Sequence, residues 1–138
     1  MLALTFNDTP YRIMGLLHIL AAVAAFGPLF LYPALRKAGQ TATIAGLHMR
    51  IVFPALVLMW VLGMGLSGMS DGLFELSQTW LALSILVWVV LVVVSWFMIK
   101  PALTDASEAA TSKLMAGVGI HHLGLVIGLV LMIWRPGL

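Results

Sequence analysis

The chain has 138 residues, of which 62% are hydrophobic and only 9% charged, with a mean hydropathy of +1.11. A globular chain carries about 25% charge, so this composition excludes an ordinary water-soluble domain and defines a membrane-embedded one. A net charge of +2 argues against nucleic acid as a partner, and zero cysteines exclude disulfides, thiolate metal sites and a thiol nucleophile.

A helix needs about 20 apolar residues to cross the roughly 30 Å hydrocarbon core. Asp8 or Thr9 with Pro10 marks a helix start. The first span is predicted over about 11–35, read as uncleaved because its apolar run continues past the small residues Ala22 to Ala25. It carries one ionisable side chain, His18, and a Gly27-Pro28 pair. A second span is predicted over about 43–66, with His48 and Arg50 near its start, Pro54 placed to kink it, and Gly63, Gly65 and Gly68 thinning its end for close helix packing. The third, about 79–99, opens on Trp80 and closes at Lys100-Pro101. After a polar stretch that offers a short surface helix, the fourth, about 112–134, contains His121-His122. The expected fold is therefore all-α: a single domain of four transmembrane helices in an antiparallel bundle.

Basic residues set the orientation. Arg36, Lys37, Arg50, Lys100 and Lys113 gather in the loops after spans one and three, and only Arg12 and Arg135 lie at the other end. The positive-inside rule then places both termini outside, with Trp80 and Trp134 near the outer interface and Trp96 near the inner one.

An ionisable side chain inside a span faces protein, water or a ligand, because lipid cannot satisfy it. His18 is placed about 9 Å below the outer face, and His121 and His122 roughly 12 Å above the inner one. Imidazole is an axial ligand for haem iron and suits copper or zinc, and four-helix bundles hold such ligands between facing helices. The candidate metal ligands are His18 and His122, with His121 as the alternative partner, and Arg36 and Arg50 are candidate propionate contacts. Of His121 and His122, about 100° apart on a helix, one at most faces a given site; the other is expected to hydrogen-bond a neighbouring helix or to face water. His48, close to Arg50 and a loop, reads as an interfacial residue rather than a ligand. The nine methionines raise Cu(I) as a less favoured metal; Met59, Met64 and Met69, five apart, form no single stripe. Phosphate loops, hydrolase triads and HExxH are absent.

The run LLHILAAVAAFGPLFLYPALR followed by MRIVFPALVLMWVLGMGL resembles the opening of the HemJ-type protoporphyrinogen oxidase family of small bacterial membrane proteins, and the related CopD-like proteins and uncharacterised integral membrane proteins. The resemblance rests on His18, Gly27, Leu29, Phe30, Tyr32, Pro33, Arg36, Arg50, Ile51, Pro54, Ala55, Trp60 and Gly63, and covers the first half of the chain. The second half is similar only as hydrophobic spans, with Arg135-Pro136 like a Lys-Pro ending. In that family the first-span His and a third-span Lys are tied to haem or porphyrin. His18 matches the first; at the place of the second this chain reads Trp80, Leu81, Ala82, Leu83, Ser84, and Lys100 lies at the far end of the span. The resemblance therefore implies an uncharacterised relative in a bacterial cytoplasmic (inner) membrane, binding haem b or porphyrin in a redox process, rather than the oxidase. Two competing expectations stand beside it: a non-catalytic accessory subunit of a larger membrane complex or of a self-associated assembly, and a copper-handling protein that uses His18 and methionines.

Overall fold

The computed structural model describes residues 7–138, and among these all regular structure is helical. Four long apolar helices form the bundle: α1, Thr9–Lys37; α2, Thr41–Gly68; α3, Thr79–Ala102; and α4, Glu108–Trp134. Each runs a few residues beyond its predicted bounds, because the polar residues that flank an apolar run continue the helix into the headgroup region. Asp8 is the N-cap of α1 but makes no side-chain cap bond. No separate surface helix forms between α3 and α4: the chain turns through 103–107, and Ser107 caps α4 by accepting the Ala110 amide at 3.1 Å. Large apolar side chains cover the outside of the bundle, Phe97 at 71% and Trp134 at 72% exposure among them. In lipid that surface is the satisfied one, and the polar groups inside are the exception.

Consecutive helices pair. α1 lies along α2, and α3 along α4. Small residues permit both approaches. A Cβ on Gly124 would sit 2.7 Å from Leu91 Cδ2, and one on Gly117 2.6 Å from Ile99 Cγ1, so α3 beds into α4 at these two glycines. On the other pair, Gly63 and Gly65 of α2 face His18 and Met14 of α1, whereas Gly68 faces open space. Trp88 joins the pairs by donating its indole N–H to the Leu56 carbonyl at 2.9 Å.

Three of the four helices depart from α geometry, each beside a proline. In α1, Gly27 and Pro28 pass into a 3-10 turn over Pro28–Leu31. In α2 a π turn runs over His48–Val52, ahead of Pro54, and in α3 another runs over Ser95–Ile99, ahead of Pro101. A proline lacks the amide hydrogen and its ring collides with the carbonyl four residues back; in α2 and α3 a wider turn upstream relieves both. The expected Pro54 kink thus takes the form of a π turn that begins at a polar residue.

At the end where α1 begins and α4 finishes, the 69–78 connection folds on itself. Ser70 Oγ accepts the Phe74 amide at 2.9 Å and donates to the Ser67 carbonyl at 2.6 Å. Phe74 meets Trp80 edge to face at 5.3 Å, and Arg135 stands 4.9 Å from the Phe74 ring. Trp80 is consequently buried under this loop, 4% exposed. At the opposite end Lys100 Nζ lies 3.4 Å from the centre of the exposed Trp96 ring, a cation–π contact of the kind a helix end at a membrane surface favours.

Candidate functional site

His18 sits on the face of α1 turned toward α2, and Gly63 is what lets it sit there: a Cβ at that position would be 3.0 Å from His18 Cε1. The imidazole Nδ1 is 2.8 Å from the Met59 carbonyl oxygen. A carbonyl only accepts, so Nδ1 carries the proton and Nε2 is left as a bare lone pair. Nε2 has no hydrogen-bond partner among the described residues. This is the arrangement in which a histidine ligates a metal, with the second nitrogen fixing tautomer and ring orientation through a backbone carbonyl.

The ring lines a small cavity of about 60 Å³ at the meeting of all four helices, and Met59, Met64 and Met132 line it too. Met14, one turn before His18, packs its sulfur over Gly65. Most of the remaining wall is apolar or aromatic, including Trp60 and Trp88, whose rings stack at 5.0 Å. Ser84 also lines it and returns its hydroxyl to the Trp80 carbonyl at 2.7 Å. The set is one imidazole and several thioethers drawn from three helices, a soft donor set.

The other histidines lie elsewhere along the bundle. His122 stacks on Phe30 at 4.1 Å, and Phe30 is twelve residues beyond His18 on the same helix, about 18 Å along its axis. A metal–imidazole bond is about 2 Å, so His18 and His122 do not share an ion. Nor does His121 join His18. It is fully buried on α4, its Nδ1 donating to the Gly117 carbonyl at 2.9 Å. The Nε2 atoms of both His121 and His122 are buried without a protein partner among the described residues.

His48 corrects the sequence reading. It is fully buried instead of interfacial, and it ties three helices together. Tyr32 Oη of α1 lies 3.2 Å from its Nδ1, and Ser95 Oγ of α3 lies 2.7 Å from its Nε2. Neutral imidazole has one donor and one acceptor, so one hydroxyl donates to the ring and the other accepts from it; both can do either. Tyr32 and Ser95 are also fully buried. The π turns begin at His48 and at Ser95, and the 3-10 turn ends just before Tyr32. This network closes the bundle opposite the His18 end. It was missed because its members are far apart in sequence, although one signal is present: His48 precedes Pro54, and Ser95 precedes Pro101, by the same six residues.

Arg36 is committed to the α3–α4 connection. Its Nε donates to Thr111 Oγ1 at 3.0 Å, and its terminal nitrogens donate to the carbonyls of Ala102, at 3.3 Å, and Asp105. Arg50 is exposed on the π turn of α2. Asp105, in the connection, accepts from the Ser107 amide at 2.8 Å. The Ser107 amide and hydroxyl, with smaller help from the charges of Arg36 and Lys113, hold its carboxyl below the usual range.

These features define a class, a multi-pass helical membrane protein with a histidine and methionines lining one small cavity and a separate buried hydrogen-bond network. The chain matches no family model, and comparison with curated proteins and with solved structures returns no significant likeness. Among the described residues no three His, Cys, Asp or Glu side chains converge as a metal site.

Proposed function

We propose that this is a copper-handling membrane protein that holds Cu(I) through His18, with the thioethers of Met59, Met64 and Met132 as the sulfur donors available to it. The observation that carries the reading is the fixed His18 ring, its Nδ1 spent on the Met59 carbonyl, lining one cavity with three methionines. Thioether and imidazole favour Cu(I) among the common metals. A cavity of about 60 Å³ suits an ion and falls far short of the roughly 300 Å³ or more that sites for larger ligands occupy. The basic residues at the Arg36 end support an orientation with that end in the cytoplasm of a bacterial inner membrane; His18 then lies in the half of the membrane that faces away from it.

Haem or porphyrin is the second reading, favoured by the same fixed ring and by the resemblance at His18. In this arrangement His18 serves as the single histidine ligand to iron, and Arg36 and Arg50 have no part in holding propionates. The two readings separate in one preparation. Protein from copper-supplied cells, purified under reducing conditions, is expected to bind about one copper per chain, to lose it in His18→Ala, and to show only aromatic absorbance in the near ultraviolet. A Soret band that His18→Ala removes replaces copper by haem. Neither copper nor a Soret band, even after supplementation, overturns both and leaves a structural role in a larger assembly.

A further inference from the structure

A cavity larger than the one at His18 lies away from it, at the Arg36 end. It is a cleft of about 390 Å³ between the α1–α2 turn and the start of α4. Arg36, Lys37, Thr41 and Thr111 supply two cations and two hydroxyls to its wall, with Pro33 and Met115 on the side that continues into the bilayer. Thr111 already takes one N–H of Arg36, which holds the guanidinium at the wall, and Lys37 is exposed. Across this end of the molecule five basic residues stand against Asp105 and Glu108, and Asp105 is engaged with the Ser107 amide.

The cleft does not stop at the membrane surface. On α4, Met115, Gly119 and His122 are spaced by four and three residues and share a face; on α1, Phe30, Pro33 and Lys37 do the same. The Phe30–His122 stack joins these two faces deeper in the bilayer. Between the stack and the cleft lies Gly119, which is exposed and has nothing within 4 Å of where its Cβ would be. α1 and α4 therefore leave a groove, cationic at the mouth, floored by glycine and closed by an aromatic pair.

We propose that this groove binds one anionic phospholipid, its phosphate against Lys37, Arg36 and the two threonine hydroxyls and an acyl chain laid over Gly119. A cationic pocket between helices at the positively charged end is the recognised chemistry for an acidic headgroup, and hydroxyls add hydrogen bonds to phosphate oxygens that a zwitterionic lipid's compensating ammonium would weaken. This site is independent of any metal at His18.

The test uses the full chain in detergent micelles and follows its thermal unfolding with added phosphatidylglycerol, phosphatidylcholine or inorganic phosphate. Phosphatidylglycerol is expected to raise the midpoint by about 5 °C near saturation, with little effect from the other two. Lys37→Gln removes a charge that has no protein partner among the described residues, and Gly119→Leu fills open space, so both variants fold; each is expected to lose at least half of the rise. Equal stabilisation by phosphatidylcholine overturns the headgroup assignment, and equal stabilisation by inorganic phosphate overturns the lipid. An absent rise, or a full one in both variants, overturns the site.

Discussion

The His18 ring donates Nδ1–H to the Met59 carbonyl across the α1–α2 contact at 2.8 Å, and this fixes which nitrogen is left for chemistry. Met59 thus acts through its backbone as well as through its side chain at the cavity wall. Gly63, one turn further along α2, sets how closely the two helices approach. Gly63→Val is expected to push the ring away, since even a Cβ there lies 3.0 Å from Cε1. Metal affinity is expected to fall about tenfold or more, the range for lost ligand orientation, while circular dichroism remains helical. Competition with a coloured Cu(I) chelator reads the affinity.

Ser95→Ala removes one hydroxyl from the ring of His48 and leaves a buried nitrogen unpaired. The expected loss is about 1–2 kcal/mol, between the values for membrane hydrogen bonds and for unsatisfied buried groups. Tyr32→Phe is expected to behave likewise, and the double variant to lose less than the sum, because both act through one ring. Reversible unfolding in mixed micelles measures all three. Metal binding at His18 is expected to be unchanged in Ser95→Ala, since the two centres lie at different depths.

Gly124 and Gly117 predict the opposite kind of failure. Gly124→Leu drives a side chain into Leu91, and overpacking of this sort costs about 1–3 kcal/mol. Pairing Gly124→Leu with Leu91→Ala is expected to restore part of the stability. Thermal unfolding of the single and double variants checks it.

The bundle and its four spans follow from apolar runs of membrane length, which are local and therefore readable in the chain. His48 was not readable in that way. Its neighbours in sequence are Arg50 and a turn, but its neighbours in space are Tyr32 and Ser95, and burial arises only when α1 and α3 close over it. The methionines fail a single-helix stripe test for a related reason: Met59 and Met64 of α2 come to line one cavity with Met132 of α4 only in the folded bundle. His18 stood out because an imidazole in an otherwise apolar span needs a partner wherever the helices go. What the chain did not disclose was the depth of His122, since a few residues of helix shift its level by several ångströms.

At the α3–α4 connection, Ser107→Ala removes the N-cap of α4 and is expected to cost about 1 kcal/mol. The same change takes away the hydroxyl that helps hold the Asp105 carboxyl low. Asp105 is depressed in the folded state, so the stability it contributes is present above its unfolded value of about 3.9 and is lost as pH falls through the lower folded value. Between pH 5 and 8 Asp105→Asn is therefore expected to shift unfolding by a constant small amount, and the difference from wild type is expected to shrink only below about pH 4. Unfolding midpoints across that range test the sign.

X-ray absorption at the copper edge, on reduced copper-loaded protein, tests the central claim most directly. The account predicts a first shell that mixes one imidazole nitrogen with thioether sulfur, and in His18→Ala either no bound copper or a shell without the imidazole signature. A shell of nitrogen and oxygen alone, or an imidazole signature that survives His18→Ala, would contradict it.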